Sequence, residues 1–499
     1  MLTVLAKAIS KLIITGLIAA ALLPAVFAQG KTPEIGPATL ARINTYLDGI
    51  GRSGFTGNVI VERDGKIVVA RSAGMRDAER NIRNDTRTVF DIGSLTKQFT
   101  AAAILKLEMQ GKLSTADKIG KFFTNVPAEK ASITIHDLLR HISGLRGDIG
   151  GDYEKITREE FLTKVMASPL ESKVGERFRY SNIGYSLLAM IAEKASGQDY
   201  ETFLAVNLFK PAGMHSTGYS LPKFDASVVA VGYRWNGNFW GKPTEKPWDG
   251  GAPFWHLRGN GGILSTAEDL AKWSIALRSD KVLSKAAKKK LHHPRLRAGE
   301  TDNPYYAYGW DVLKTRRNTF VARHNGTNNI FYADMHRYLD ERLTIIHMVN
   351  KGIPSFVDVN GQIARIIFEP DYVPAIPAAE SKENEAYTGE LVKIAVEKGL
   401  DAAVAAHRAR KNGVDAVERF VNGAGYDLLE AKKHAQAIEV FKLNTMLFPR
   451  SSNAFDSLGE AFMEAGDRKV ALENFRKSLE LDPENGNAAQ MIKKLQDKP

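Results

Sequence analysis

The alternation of apolar and polar positions opens with a strand signal at Gly57-Asn58-Val59-Ile60-Val61-Glu62. Asp64-Gly65 follows, a pair suited to a tight turn, and then Lys66-Ile67-Val68-Val69-Ala70, so the stretch predicts a β-hairpin. Upstream, residues 33–49 have the spacing of an amphipathic helix. Downstream, an apolar stripe over residues 95–107 predicts a helix entering the core. Further helical stretches come next. Thr134 with Asp137 forms a capping-box pattern ahead of Leu138-Leu139, and Ser265 with Glu268 forms another ahead of Leu270. Strand patterns return at residues 318–323, 330–335 and 343–349. The order strands, many helices, strands predicts an α+β domain over residues 33–370. Its antiparallel sheet is drawn from both ends of the segment and flanked by helices, with an all-helical insertion between.

Three prolines within residues 370–377 mark a linker, taken as residues 371–383. From 384 to 499 the pattern is helical and repetitive: Ala437, Phe441, Leu447 and Pro449 recur 34 positions later as Ala471, Phe475, Leu481 and Pro483. This period, with small, aromatic and proline positions in that order, resembles tetratricopeptide repeats, clearest over about residues 421–483. Residues 488–495 read as a capping helix, and helices between 384 and 420 are expected to stack on the repeats. The resemblance implies a groove for a peptide or protein partner.

The 499 residues are 44% hydrophobic and 25% charged, enough for a large core and for more than one compact unit. The N-terminus differs in kind. Lys7 and Lys11 precede an apolar run at residues 12–23, then Pro24 and Val26-Phe27-Ala28. This predicts a secretory signal over residues 1–28, removed before Gln29, and a periplasmic or secreted protein; the competing expectation is an uncleaved anchor. No second long apolar run follows. The absence of cysteine excludes disulfides, thiolate metal ligands and a cysteine nucleophile. The formal charge of +11 is scattered among acids rather than gathered in a block, which favours a solvated surface over nucleic-acid binding.

The predicted helix at 95–107 carries chemistry at its start. Ser94 and Lys97 are three residues apart and so face the same way. A hydroxyl is a weak nucleophile until a base takes its proton, and a lysine serves when its surroundings keep it neutral. The first turn of a helix also favours an oxyanion. Ser-x-x-Lys alone says little, since its commonest meaning is a helix-start serine near a snorkelling lysine. Two further groups make it specific. In Tyr180-Ser181-Asn182, ahead of a helix expected near Gly184, alternate residues can enter one cleft. A phenol beside an ammonium has a lowered pKa and can act as base, and the Asn182 amide can accept from the lysine and donate to a substrate carbonyl. In Arg323-His324-Asn325-Gly326-Thr327, at a strand end, the glycine permits close approach of a substrate. The backbone N–H groups of Ser94 and Thr327 would then form an oxyanion hole.

With these three groups in this order, the sequence resembles the serine β-lactamase and penicillin-binding protein superfamily, and within it the class C-like branch with its DD-carboxypeptidases and esterases. The likeness covers about residues 43–368. It extends through FDIGSLTKQFTAAAI, ITIHDLLRHISGL, GERFRYSNIGYSLLAMIAEKASG, LFKPAGMHSTGY and RGNGGILSTAEDLAKW. It implies that Ser94 is acylated, that Tyr180 and Lys97 are the proton-transfer pair with the base left open between them, and that Asn182 and residues His324 to Thr327 bind the substrate. No metal or organic cofactor is implied. His324 departs from the lysine that many β-lactamases carry there and attracts a carboxylate less well, unless Arg323 or a protonated His324 compensates. The expected activity is hydrolysis of an ester, a peptide or amide of D-amino-acid or cell-wall type, or a lactam. The alternative is a weak or inactive hydrolase-like binding module on a tetratricopeptide scaffold. A third option, an α/β-hydrolase-type esterase, finds no support, since no Gly-x-Ser-x-Gly surrounds Ser94. Trp235, Phe239, Trp240, Trp248, Phe254 and Trp255 crowd one segment, either as a loop pinned by its own rings or as an aromatic wall over the substrate.

Overall fold

The computed structural model describes residues 34–234, 237–246, 248, 252–292, 305–352, 356–377, 382–410, 413–483 and 485–496. The signal expected at residues 1–28 and the ring of Trp235 lie outside them. Seven strands form the main sheet: β1 (Gly57–Arg63), β2 (Lys66–Ala73), β3 (Tyr305–Tyr306), β4 (Asp311–Lys314), β5 (Phe320–Thr327), β6 (Tyr332–Tyr338) and β7 (Leu343–Val349). Their order is β2-β1-β7-β6-β5-β4-β3, antiparallel at every junction. The fold is α+β, and the first and last strands of the sheet in chain order pair with each other, with Gly57 opposite Val349 and Val61 opposite Ile345.

Local chemistry sets the turns. Asp64 and Gly65 both adopt positive φ, 51° and 87°, as a two-residue hairpin requires. β5 begins two residues later than the sequence suggests because Asn318, at φ 65°, is spent on a turn. Asn328 accepts from the backbone N–H of Ile330 and Phe331, so β6 starts at Tyr332.

Alternation along β1 separates two cores. Val59 and Val61 face α1 (Pro37–Arg52) and a helix at Val359–Phe368, whereas Ile60 faces the larger core on the other side of the sheet. That larger core holds α2 (Thr96–Met109) and α3 (Asn182–Ser196). The expected stripe on α2 is corrected to burial on every face: residues 96–105 are all buried, with Phe99 edge-on to Phe209 at 5.1 Å and tilted against Trp273 at 5.0 Å. Over these ten residues the helix has no solvent face to keep polar, and exposure returns only in its last turn, at Met109.

The Thr134–Asp137 capping box forms at the head of a helix at Ile135–Leu139. The one expected at Ser265 shifts by one residue. Ser265 is engaged in a short strand paired with Phe90, so Thr266 caps the helix at Ala267–Ala276 instead.

With the helix at Val359–Phe368 as α4, the C-terminal helices are α5 (Lys382–Lys398), α6 (Leu400–Arg408), α7 (Glu418–Glu430), α8 (His434–Leu447), α9 (Ser452–Glu464), α10 (Arg468–Leu481) and α11 (Gly486–Gln496). Ala437, Phe441, Ala471 and Phe475 are fully buried. A Cβ on Gly425 would fall 2.4 Å from the Phe441 ring, and one on Gly459 would fall 2.9 Å from the Phe475 ring, so the period of 34 extends to two glycines on which the aromatics rest. No helix among the described residues is long and apolar enough to cross a membrane.

Candidate active site

A short strand at Phe90–Asp91 delivers the chain to Gly93, whose φ of 49° turns it into a single 3-10 turn holding Ser94 and then into α2. One turn on, Lys97 is fully buried. Its Nζ donates to Ser94 Oγ at 2.9 Å and to the Asn260 carbonyl at 2.8 Å. Burial disfavours the charged form and pulls the amine from 10.5 to about 7, against the opposing fields of Asp148 and Asp152.

The Tyr180 hydroxyl is near enough to Ser94 for the serine to oppose the rise in its pKa, and its ring centroid lies 4.7 Å from Lys97 Nζ. The residue is 36% exposed overall, but its hydroxyl end is packed into the cleft, and this burial raises the phenol's pKa. The expected lowering is therefore corrected. Desolvation acts on both members of the pair, and an amine that titrates near neutrality is a poor source of the positive charge that would acidify a phenol. Asn182 is also placed differently from expectation. It opens α3, capped by Ser181, and its Nδ2 donates to Asp148 Oδ1 at 2.8 Å. A carboxylate only accepts, which fixes the amide's orientation. Oδ1 is left buried without a partner, and neither amide atom bonds Lys97.

The strand edge meets the nucleophile backbone to backbone. A Cβ on Gly326 would lie 2.4 Å from Ser94 N, and one on Gly93 would lie 2.5 Å from Thr327 N. Only glycine allows this approach, which brings the two amides expected to form the oxyanion hole to the same spot. Pleating sorts the remaining residues. His324 is buried on the cleft side, while Arg323 and Asn325 point to the other face. Arg323 lines a separate cavity there with His336, and Asn325 Nδ2 donates to the Tyr332 hydroxyl at 3.3 Å. This alternation leaves only the backbone of Asn325 facing the cleft, and it corrects the compensating role expected of Arg323. His324 Nδ1 is 2.6 Å from the Asn325 carbonyl, so Nδ1 carries the proton and Nε2 faces the Tyr306 hydroxyl at 3.2 Å. Burial, then the Lys97 charge, pushes its pKa down to about 4, so it is neutral at physiological pH and a protonated His324 is corrected as well.

Several residues at the site gave no separate signal. His141, at φ 56°, accepts the Ser181 N–H on Nδ1 at 3.0 Å and stacks on Tyr180 at 4.4 Å. It lies within ITIHDLLRHISGL, and its pairing with Ser181 spans 40 positions. Asn260, whose carbonyl holds the amine, donates through Nδ2 to Ser186 and to the His256 carbonyl. Asp91 is buried beside Ser94, accepts from Gly93 N and Asn328 Nδ2, and is raised to about 7 by burial. Together with Asp152, Asn182 and Thr327 it lines a narrow cleft of about 40 Å³ at Ser94. A larger cavity, about 440 Å³, lies between Asn238 and α5 and α7 and shares no lining residue with that cleft. Among the described residues, no group of three His, Cys, Asp or Glu side chains could hold a metal ion.

The aromatic segment divides. Trp255 is buried between Arg158 and Arg258, at 4.6 and 4.7 Å from its ring, and Phe254 and Trp248 pack on the core. Trp240, under the Lys246 amine at 3.5 Å, reaches Tyr153 at 6.1 Å, on the loop that carries Asp148 and Asp152. Phe239 is exposed.

A family model described as Beta-lactamase matches residues 45–367. A penicillin-binding protein of Bacillus subtilis (strain 168) is 30% identical over 360 residues, covering 68% of this chain and 79% of its own length. Among solved structures, a penicillin-binding protein from Bacillus halodurans is 26% identical with a TM-score of 0.56, covering 65% of this chain and 99% of that one. D-amino acid amidase from Ochrobactrum anthropi SV3, complexed with D-phenylalanine, shares the fold at 22% identity and a TM-score of 0.56, covering 66% and 98%.

Proposed function

The chain belongs to the beta-lactamase family, and from that premise we propose that it is an exported serine hydrolase of the class C-like branch, acting through an acyl-enzyme. One observation carries this: Lys97 Nζ lies 2.9 Å from Ser94 Oγ, with its proton affinity brought to about 7. Neutral Lys97 takes the Ser94 hydroxyl proton as Oγ forms a bond to the substrate carbonyl carbon. The carbonyl oxygen becomes an oxyanion facing the N–H groups of Ser94 and Thr327. When the tetrahedral adduct collapses, the bond to the leaving amine or alcohol breaks. That group receives a proton, routed from Lys97 through the Tyr180 hydroxyl, which lies beside both residues and stays protonated. Water then attacks the acyl carbon and gives up its proton to the same pair. The bond to Ser94 Oγ breaks, and the proton returns to the serine.

The base left open between Lys97 and Tyr180 is thus assigned to Lys97, with Tyr180 as the relay. The C-terminal helices are assigned as a tetratricopeptide-like unit that binds a peptide or protein partner, supported by the 34-residue period in Gly425, Phe441, Gly459 and Phe475. A fluorophosphonate probe tests the hydrolase. Ser94 is expected to be labelled, and Ser94→Ala is expected to lose both label and hydrolysis; folded protein that resists several such probes would remove the assignment.

A further inference from the structure

Two glycines let the nucleophile turn and the strand edge approach, but a residue without a side chain cannot hold what it admits. A Cβ on Gly93 would lie 2.5 Å from Thr327 N, so the gap has no room for a wedge. A side chain just upstream spans it instead. Asp91, 2% exposed, accepts from Gly93 N on Oδ1 at 2.7 Å and from Asn328 Nδ2 on Oδ2 at 2.9 Å. Gly93 precedes Ser94 and Asn328 follows Thr327, so a single carboxylate bridges the two backbone segments whose amides would face the carbonyl oxygen.

The bridge needs an acceptor at both ends. Asn328 Oδ1 accepts from Ile330 N and Phe331 N at 3.1 and 2.8 Å, which fixes Nδ2 toward Asp91. Both partners of Asp91 are therefore donors, arriving at different oxygens. An amide in its place would accept from one and turn its own donor on the other. Burial raises the Asp91 carboxyl to about 7, and both donors oppose that rise, because they favour the ionised form. A negative charge beside a nascent oxyanion is unfavourable in itself, so geometry rather than field is what this carboxylate can contribute.

We propose that Asp91 is the positioning residue of the oxyanion hole, a carboxylate bridge that sets the spacing of the Ser94 and Thr327 amides. This rests on the hydrolase assignment above. Ser94 and Lys97 carry out the reaction, and Asp91 acts through the backbone on either side of the hole.

The test compares an ester with its matching thiono ester, in the full chain and on the alkaline side of neutrality, where Asp91 is ionised. Sulfur is larger than oxygen and a weaker acceptor, so a hole of fixed width favours the oxo ester, and the ratio of the two kcat/KM values reports that width. For Asp91→Asn, kcat on the oxo ester is expected to fall about tenfold to a hundredfold with KM little changed, and the ratio to fall with it. Combining Asp91→Asn with Asn328→Asp rebuilds the bridge in reverse: the carboxylate now at 328 accepts from Ile330 N and Phe331 N on one oxygen and from the new amide on the other. Both kcat and the ratio should return to within about threefold of the wild type. A merely structural defect lowers both esters together and leaves the ratio unmoved. Should Asp91→Asn fail to fold, Asn328→Ala cuts the bridge from its other end and must lower the same ratio. A ratio that the single changes do not move, equal rates on the two esters in the wild type, or an exchanged pair that folds without recovering the ratio overturns the bridge and leaves the hydrolase standing. A wild-type chain that hydrolyses neither ester and resists fluorophosphonate labelling overturns both.

Discussion

Gly93 and Gly326 lie face to face, each leaving no room for a Cβ against the backbone that carries the other's neighbour. The proposed oxyanion hole depends on that approach. Gly326→Ala drives a methyl into Ile92 O and Ser94 N, at 2.1 and 2.4 Å, and must push β5 away from the nucleophile. We expect kcat/KM to fall by about a hundredfold or more, the scale of losing one oxyanion donor, with fluorophosphonate labelling slowed in parallel.

The burial of Lys97 makes activity depend on pH with a definite sign. If neutral Lys97 is the base, acylation rises with pH through about 7 and then levels, because the Tyr180 phenol stays protonated. His324, titrating near 4, adds no limb in this range. A kcat/KM profile that falls through neutrality would contradict the assignment.

The same amine costs stability. Its folded-state pKa lies below its unfolded value, so between about 7 and 10.5 the unfolded chain binds more protons and stability rises with pH. Lys97→Met should therefore abolish hydrolysis yet raise the melting temperature. The gain is largest at and below about pH 7 and shrinks toward pH 10.5. Calorimetry at several pH values reads this directly.

Two tryptophans of the aromatic segment should part company. Trp255→Ala empties a buried site between two guanidinium groups and is expected to cost about 3–5 kcal/mol of stability. Trp240→Ala removes a ring that touches the loop of Asp148 and Asp152, so it should alter KM more than melting. Denaturant unfolding beside steady-state kinetics separates them.

Gly459→Leu forces a side chain into the Phe475 ring and should destabilise the C-terminal helices by about 1–3 kcal/mol. Hydrolysis of a small ester should be unchanged, since neither residue lines the Ser94 cleft.

The sequence made legible what is short-range. The Asp64-Gly65 turn, the Thr134 cap, the shared side of Ser94 and Lys97, and the period of 34 all lie within a few turns or a repeat unit. Strand alternation also carried the outline of the sheet, with β7 matching in full. What escaped depends on distant partners. The direction of the Tyr180 shift follows from burial by elements more than a hundred positions away, such as Tyr306. The Asn182 amide was claimed by Asp148, 34 positions upstream, and His141 met Ser181 only through the fold. Strands β3 and β4 are too short to announce themselves. For Arg323 and Asn325 the period of two was available in principle, and applying it from His324 outward would have placed both on the far face.

The pairing of β1 with β7 has a consequence for biosynthesis. The hairpin that begins the sheet keeps one edge of β1 open until residues 343–349 emerge, and the amides of residues 94 and 327 meet only after more than two hundred intervening residues have been made. Such long-range closure is slow to form. On the proposed mechanism a nascent or truncated chain therefore carries a harmless serine, and reactivity arrives late, with the finished domain.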